Sequence, residues 1–338
     1  MKIQLSRLLK RKGMAGIRPG YRLNVVFLTL FLCQVPMVNA QDNASETKII
    51  GMLDEVSTEP VAVPFVNHVE VNGHGGHLQG IQKIEYDGST WFFLTGSSDS
   101  YSYLAVVDGD KGEVVSINKL LDRPFKHAGG FQIYKNLMAI GIEDNSGRKR
   151  SKVYVWRLDD LLNISSEPMK VIEREGEYER ATAGCVAISE IDGYILVVVG
   201  DWDTRHLDFY TIRDKDLHDE NVDFEKVYSI TTSEIDKTNR FNDEWGSYQN
   251  INLLKDSSGG LFLAGMSKEN GENVLDLFKI TTREMTSFDL QKVYSKKFGR
   301  GDEVNFDWGA GVFMNKDKME VLTCPAHLRL NNEILIFK

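Results

Sequence analysis

The sequence predicts an all-β chain folded as a five-bladed β-propeller whose ring is closed by an N-terminal strand. Three observations carry this expectation. After residue 40, short runs rich in Val, Ile, Leu, Phe and Tyr alternate with Gly, Asp and Asn clusters, and no long stretch places apolar residues at helical spacing. A column of small residues, Gly80, Gly130, Gly184, Ser247 and Gly311, recurs at intervals of 50, 54, 63 and 64 residues. Two further strand columns follow each member of it in the same order.

Each unit opens with a first strand: Gly80-Ile81-Gln82, Gly130-Phe131-Gln132, Gly184-Cys185-Val186, Ser247-Tyr248-Gln249 and Gly311-Val312-Phe313. In a ring this strand lies nearest the axis, where five strands converge and side chains have least room, which accounts for the small residue. The second strand follows at 91–94, 137–140, 195–199, 261–264 and 320–323. It ends at Gly96, Gly141, Gly200, Gly265 and, breaking the pattern, Cys324. The third strand is read at 104–107, 153–156, 207–210, 275–278 and 334–337. A fourth follows units one to four at 114–117, 170–172, 227–230 and 293–295, whereas unit five shows none. An unpaired edge strand invites aggregation, so residues 48–52 or 61–63 are expected to supply the missing one and close the ring. The units begin near residues 76, 126, 180, 243 and 307 and together form a single propeller domain over 41–338. The extra length of the later units falls in loops at 214–223 and 231–242.

Residues 1–40 read as an export signal. Seven basic residues, from Lys2 to Arg22, lead into a short apolar run at 25–33 and then a small-residue site, Val38-Asn39-Ala40, with cleavage expected before Gln41. The run is far short of the roughly 20 residues that span a bilayer, so a secreted or periplasmic location is expected, with no membrane span in the mature chain. Removing the leader takes away those seven basic residues and no acidic one, so the formal charge falls from −9 to −16. A surface this acidic repels a phosphate backbone, and nucleic acid is excluded as a partner. Cys185 and Cys324 fall in non-adjacent units without metal-type spacing, and are read as small buried apolar residues.

Over residues 48–338 the repeats resemble blades of the five-bladed β-propeller class. The run His127-Ala128-Gly129-Gly130-Phe131-Gln132, followed by Ala139-Ile140-Gly141, resembles a turn of uncharacterised secreted propellers. Arg157 after Trp156 departs from the Trp-Asp dipeptide of WD repeats, and Asp87-Gly88-Ser89-Thr90-Trp91 is one residue too tight for the Asp-box of sialidases. The resemblance therefore reaches architecture and no named functional family.

In such a ring, the loops into the first strands and the loops joining second to third strands share one face. The first set brings His77, His127, Glu244, Trp245 and Trp308, preceded by Lys126, Arg180 and Asp307. The second brings Asp99, Asp144, Asp203, Lys268 and His327, with Glu143, Asp201 and Trp202 beside them. Convergent polar and aromatic groups at a channel mouth make the default binding site. The expected ligand-binding set is His77, His127, Arg180, Trp202, Glu244, Trp245, Asp307, Trp308 and His327. Imidazole and carboxylate suit a divalent ion, so His77, His127, His327 and Asp99 are candidate ligands, although no cofactor is firmly implied. Asp144, Asp203, Glu143 and Asp201 are candidate acids and bases for glycoside hydrolysis, which needs paired carboxylates. Each of these residue types also has a structural use: Asp in capping turns, Trp in packing between blades, His in bonding a neighbouring backbone. The first functional reading is a binding or interaction module that holds a polar small molecule, a glycan or a protein partner. The alternative is a hydrolase of a glycoside or phosphoester using mouth carboxylates, with or without a divalent metal.

Overall fold

Five four-stranded antiparallel sheets account for nearly all regular structure among the described residues. The computed structural model describes residues 40–71, 76–161, 164–165, 167–232, 245–299, 304–316 and 318–338. The export-signal reading, Ala40 apart, lies outside them. A helix, α1 (Ala40–Glu55), and a strand, β1 (Val61–Val66), precede the first sheet. The first sheet contains β2 (His77–Tyr86), β3 (Ser89–Ser97), β4 (Tyr101–Asp108) and β5 (Glu113–Asp122). The second contains β6 (His127–Tyr134), β7 (Leu137–Glu143), β8 (Arg150–Arg157) and β9 (Lys170–Glu175). The third contains β10 (Cys185–Ile191), β11 (Tyr194–Gly200), β12 (His206–Arg213) and β13 (Glu225–Thr231). The fourth contains β14 (Asn250–Lys255), β15 (Leu261–Glu269), β16 (Glu272–Arg283) and β17 (Ser287–Phe298). The fifth contains β18 (Ala310–Asn315), β19 (Lys318–Thr323) and β20 (Asn331–Phe337), with β1 paired antiparallel to β20 from Val61 opposite Ile336 to Val66 opposite Asn331.

The innermost strands touch in a cycle, β2 to β6, β10, β14, β18 and back to β2, which makes the molecule a propeller. Crowding at the axis explains two of the small residues: a Cβ on Gly311 would stand 2.0 Å from the Ile81 carbonyl oxygen, and one on Gly130 2.6 Å from that of Gln249.

Each blade is buried on both faces, so its strands read as continuous apolar runs rather than alternations. On β11, Leu196 and Val198 pack toward the fourth sheet while Ile195, Val197 and Val199 pack toward the second. Five such clusters fill the five gaps between neighbouring blades. Cys185 and Cys324 are buried free thiols within two of them.

Residues 48–52, one of two segments expected to be a strand, are helical. Ile49, Met52, Leu53 and Val56 recur at helical spacing and bury against the fourth and fifth blades. The Lys296 ammonium donates to the carbonyl oxygens of Leu53, Asp54 and Val56 at 2.8, 2.9 and 2.6 Å, satisfying acceptors that a helix C-terminus leaves open. Among the described residues, no helix is long and apolar enough to cross a membrane.

Candidate functional site

The face that carries the starts of the innermost strands holds a cavity of about 470 Å³, lined by residues of the first, second and fifth blades. His77 opens β2, and the loop between β19 and β20 lies along it. His77 and His327 form an isolated antiparallel bridge, and Leu78 N–H donates to Ala326 O at 2.9 Å. The two imidazoles meet edge to face with centroids 5.4 Å apart. His327 Nδ1 lies 2.7 Å from the Gly76 carbonyl oxygen, a geometry that makes Nδ1 the donor. His77 Nδ1 is bonded to the Gln79 amide.

His127, first residue of β6, faces the same cavity with its Nε2 3.8 Å from Glu143 Oε1 at the end of β7. Glu143 is 1 % exposed and accepts the Ala183 N–H at 3.0 Å. Burial pushes its carboxyl up to about 7. Burial, reinforced by His77, Lys126 and Arg148, pushes the His127 imidazole down to about 4. Burial and the neighbouring His327 lower His77 as well. The pair behind the cavity wall thus holds a neutral imidazole beside a carboxyl that titrates near neutrality. Lys126, Ser97, Ser98, Asp99, Asn145 and Arg329 complete the lining.

The remaining sequence-derived candidates are dispersed. Asp144 accepts the Gly147 N–H at 2.8 Å and Arg150 Nε at 3.2 Å, closing its own turn. Asp201 is held by His206, through its N–H at 2.8 Å and Nδ1 at 2.7 Å. Burial raises the Asp201 carboxyl. Asp203 is exposed in a short helical turn and accepts the Ser247 hydroxyl at 3.1 Å. Asp307 accepts the Lys268 N–H at 2.8 Å. Arg180 makes two bonds to Asp208, at 2.8 and 2.5 Å, and borders a separate groove between the second and third blades. Trp202 lies under the Arg148 guanidinium, 3.6 Å from its ring centre. Trp245 donates to Thr204 O at 2.9 Å and packs on Tyr248 and Phe278. Trp308 borders a neighbouring cavity of about 690 Å³ that shares His327 and Arg329 with the first. Glu244 lies outside the described residues. Of the four carboxylates expected as acid and base, none lines the histidine cavity; among the described residues lining it, Asp99 is the one carboxylate. Among the described residues no three His, Cys, Asp or Glu side chains are grouped to hold a metal ion.

Ser97, Ser98, Asn145 and Arg329 line the cavity and escaped the repeat reasoning. Arg329 sits in the β19–β20 loop, which differs in length from its counterparts. Asn250, 1 % exposed and also outside that reasoning, places its amide against Gly130, with neither amide atom bonded among the described residues. Its signal was available: Asn250-Ile251-Asn252 is polar at positions where an innermost strand should be apolar.

No protein-family model and no curated protein sequence matches the chain. Solved structures do resemble it. The catalytic domain of the Coprinopsis cinerea GH62 α-L-arabinofuranosidase is 8% identical, with 83% of this chain and 97% of that one covered and a TM-score of 0.48. The GH43_1 enzyme from Xanthomonas citri is 9% identical, with coverages of 86% and 92% and a TM-score of 0.48. CoXyl43, a GH43 β-xylosidase/α-arabinofuranosidase from a compost microbial metagenome, solved with xylotriose in a calcium-free form, is 11% identical, with coverages of 81% and 94% and a TM-score of 0.47. Where the sequence reading reached no named functional family, structures that resemble the chain carry GH43 and GH62 names.

Proposed function

We propose that the protein is a secreted, carbohydrate-active hydrolase that cleaves a glycosidic bond in the cavity ringed by His77, His127 and His327. The observation that carries this reading is the convergence of three imidazoles from three blades on one polar cavity, with a buried carboxyl behind one of them.

Hydrolysis requires that a proton leave the attacking water and another reach the departing sugar oxygen. Neutral His127 accepts the first, and ionised Glu143 stabilises the imidazolium that results, in the manner of a carboxylate-backed histidine base. His327, oriented by its bond to Gly76, supplies the second from Nε2. The bond from anomeric carbon to leaving oxygen breaks as that from water oxygen to anomeric carbon forms. Asn145 Oδ1, buried and unbonded among the described residues, is an acceptor for a sugar hydroxyl. The same proposal takes β1 as the strand that closes the ring of blades, a reading supported by its six-residue register with β20.

The test is turnover of a broad panel of aryl glycosides and polysaccharides by wild type and by His127→Ala, with circular dichroism to monitor the fold. The expected result is measurable wild-type turnover that falls by about 100-fold or more in the variant. Turnover unchanged by His127→Ala would remove the assigned base. One observation favours binding without chemistry: among the described residues lining the cavity Asp99 is the one carboxylate, and no facing pair of the kind that glycosidases commonly use is found among them. A glycan retained on an array with no turnover of any panel member would establish that second reading.

A further inference from the structure

We propose that the saccharide taken by the histidine cavity is anionic, with a carboxylate or sulfate ester held between Lys126 and Arg329. This deepens the hydrolase reading and rests on it.

Two cations line one cavity, and neither has an ion-pair partner among the described residues. Four other cations of that face are paired. Arg148 and Arg205 both bond Glu179, at 2.6 Å each, Arg150 bonds Asp144 at 3.2 Å, and Arg180 bonds Asp208. In a chain with 49 acidic against 40 basic residues, leaving two cations unpaired at a single concave site is not a consequence of general basicity. The carboxylate lining the cavity, Asp99, is exposed and offsets one of the two charges, leaving a local excess of one positive charge beside imidazole N–H donors. An anionic group supplies the missing counter-charge, and guanidinium and ammonium are the side chains that bind carboxylate and sulfate oxygens most strongly. A concave wall also focuses that field against the acidic surroundings.

The anion sits beside the reacting centre rather than in it. Arg329 lies in the loop that carries His327, and Lys126 directly precedes His127, so the two cations flank the proposed acid and the proposed base. A charged sugar docked on them is oriented with its glycosidic bond toward the imidazoles.

The test is calorimetric titration of the full chain with three probes, a galacturonic acid trimer, a sulfated galactose trimer and neutral galactotriose. Each is run at about 20 mM and about 300 mM salt, which differ severalfold in ionic screening. One charged trimer should bind about tenfold or more tightly than the neutral one at low salt, with the preference shrinking at high salt. The stronger of the two identifies carboxylate or sulfate as the recognised group. A Lys126→Ala, Arg329→Ala double variant should bring that trimer down to the neutral affinity, while Lys126→Arg, which keeps the charge, should retain the preference and so separate lost charge from lost fold. Equal affinity for charged and neutral trimers, or no binding of either charged trimer, overturns the inference. Turnover of neutral glycosides in the wider panel then shows whether the hydrolase reading survives it.

Discussion

Glu143 and His127 shift in opposite directions for one reason: burial disfavours the charged form of each, so the acid rises and the base falls. The stability consequences are opposite too. Below its ordinary value of 4.5, Glu143 is protonated in folded and unfolded chains alike and contributes no pH dependence. As pH rises from there to about 7, the unfolded chain ionises first, and the folded state loses stability relative to it, by roughly 3 kcal/mol once both are ionised. His127 acts at the other end, where the unfolded chain takes up a proton below 6.5 that the folded state accepts only near 4. Glu143→Gln, which keeps an acceptor for Ala183 N–H, should therefore raise the melting temperature relative to wild type at pH 8 and have little effect near pH 4.5. Thermal melts across that range check it, and an equal shift at both ends would show that Glu143 does not titrate near neutrality. The identity of these residues was readable from the repeat columns, which placed His77, His127 and His327 at one mouth. Their engagements were not readable. Asp144, Asp201 and Asp307 belong to the same columns, yet each is occupied by a nearby N–H, and no repeat alignment distinguishes a carboxylate that caps a turn from one that faces a ligand.

At the scale of strands, the glycine columns show how one sequence signal covers different physical demands. Gly311 and Gly184 occupy the same repeat position. A Cβ on Gly311 would lie 2.0 Å from the Ile81 carbonyl oxygen, a backbone atom that cannot rotate aside, whereas one on Gly184 meets nothing closer than the Asp201 carbonyl oxygen at 3.5 Å. Gly311→Ala should therefore cost about 1–3 kcal/mol or more by forcing the fifth and first blades apart. Gly184→Ala should stay within about 0.5 kcal/mol of wild type. Urea denaturation of both variants separates steric necessity from mere equivalence by alignment; equal losses would remove the close-approach argument. Strand order within blades was legible because burial on both faces leaves long apolar runs between Gly-rich turns. The segment at 48–52 was not, because a short apolar run fits a strand or one turn of buried helix equally well, and only the continuation through Leu53 and Val56 shows the 3.6-residue period.

For the whole molecule, the decisive connection is between chain regions some 270 residues apart. β1 pairs antiparallel with β20, and Val66 also meets Glu113 of β5, at the seam between the last blade and the first. Phe65, 2 % exposed, fills the cluster in that seam together with Leu78, Phe92, Tyr103 and Ile334. The histidine cavity straddles the same seam, since His327 comes from the fifth blade and His77 from the first. Loosening the seam therefore loosens the site. Phe65→Ala removes a fully packed ring at a cost of about 3–5 kcal/mol. Because each blade is covered on both faces by its neighbours, that loss should lower the midpoint of one cooperative transition rather than release a single blade. A fluorescence melt that stays coincident with the circular-dichroism melt at a lower midpoint is the expected outcome. A variant that unfolds in two separated steps, with the second at the wild-type midpoint, would mean that the other blades stand without the seam, and that His77 and His327 need no closed ring to remain neighbours.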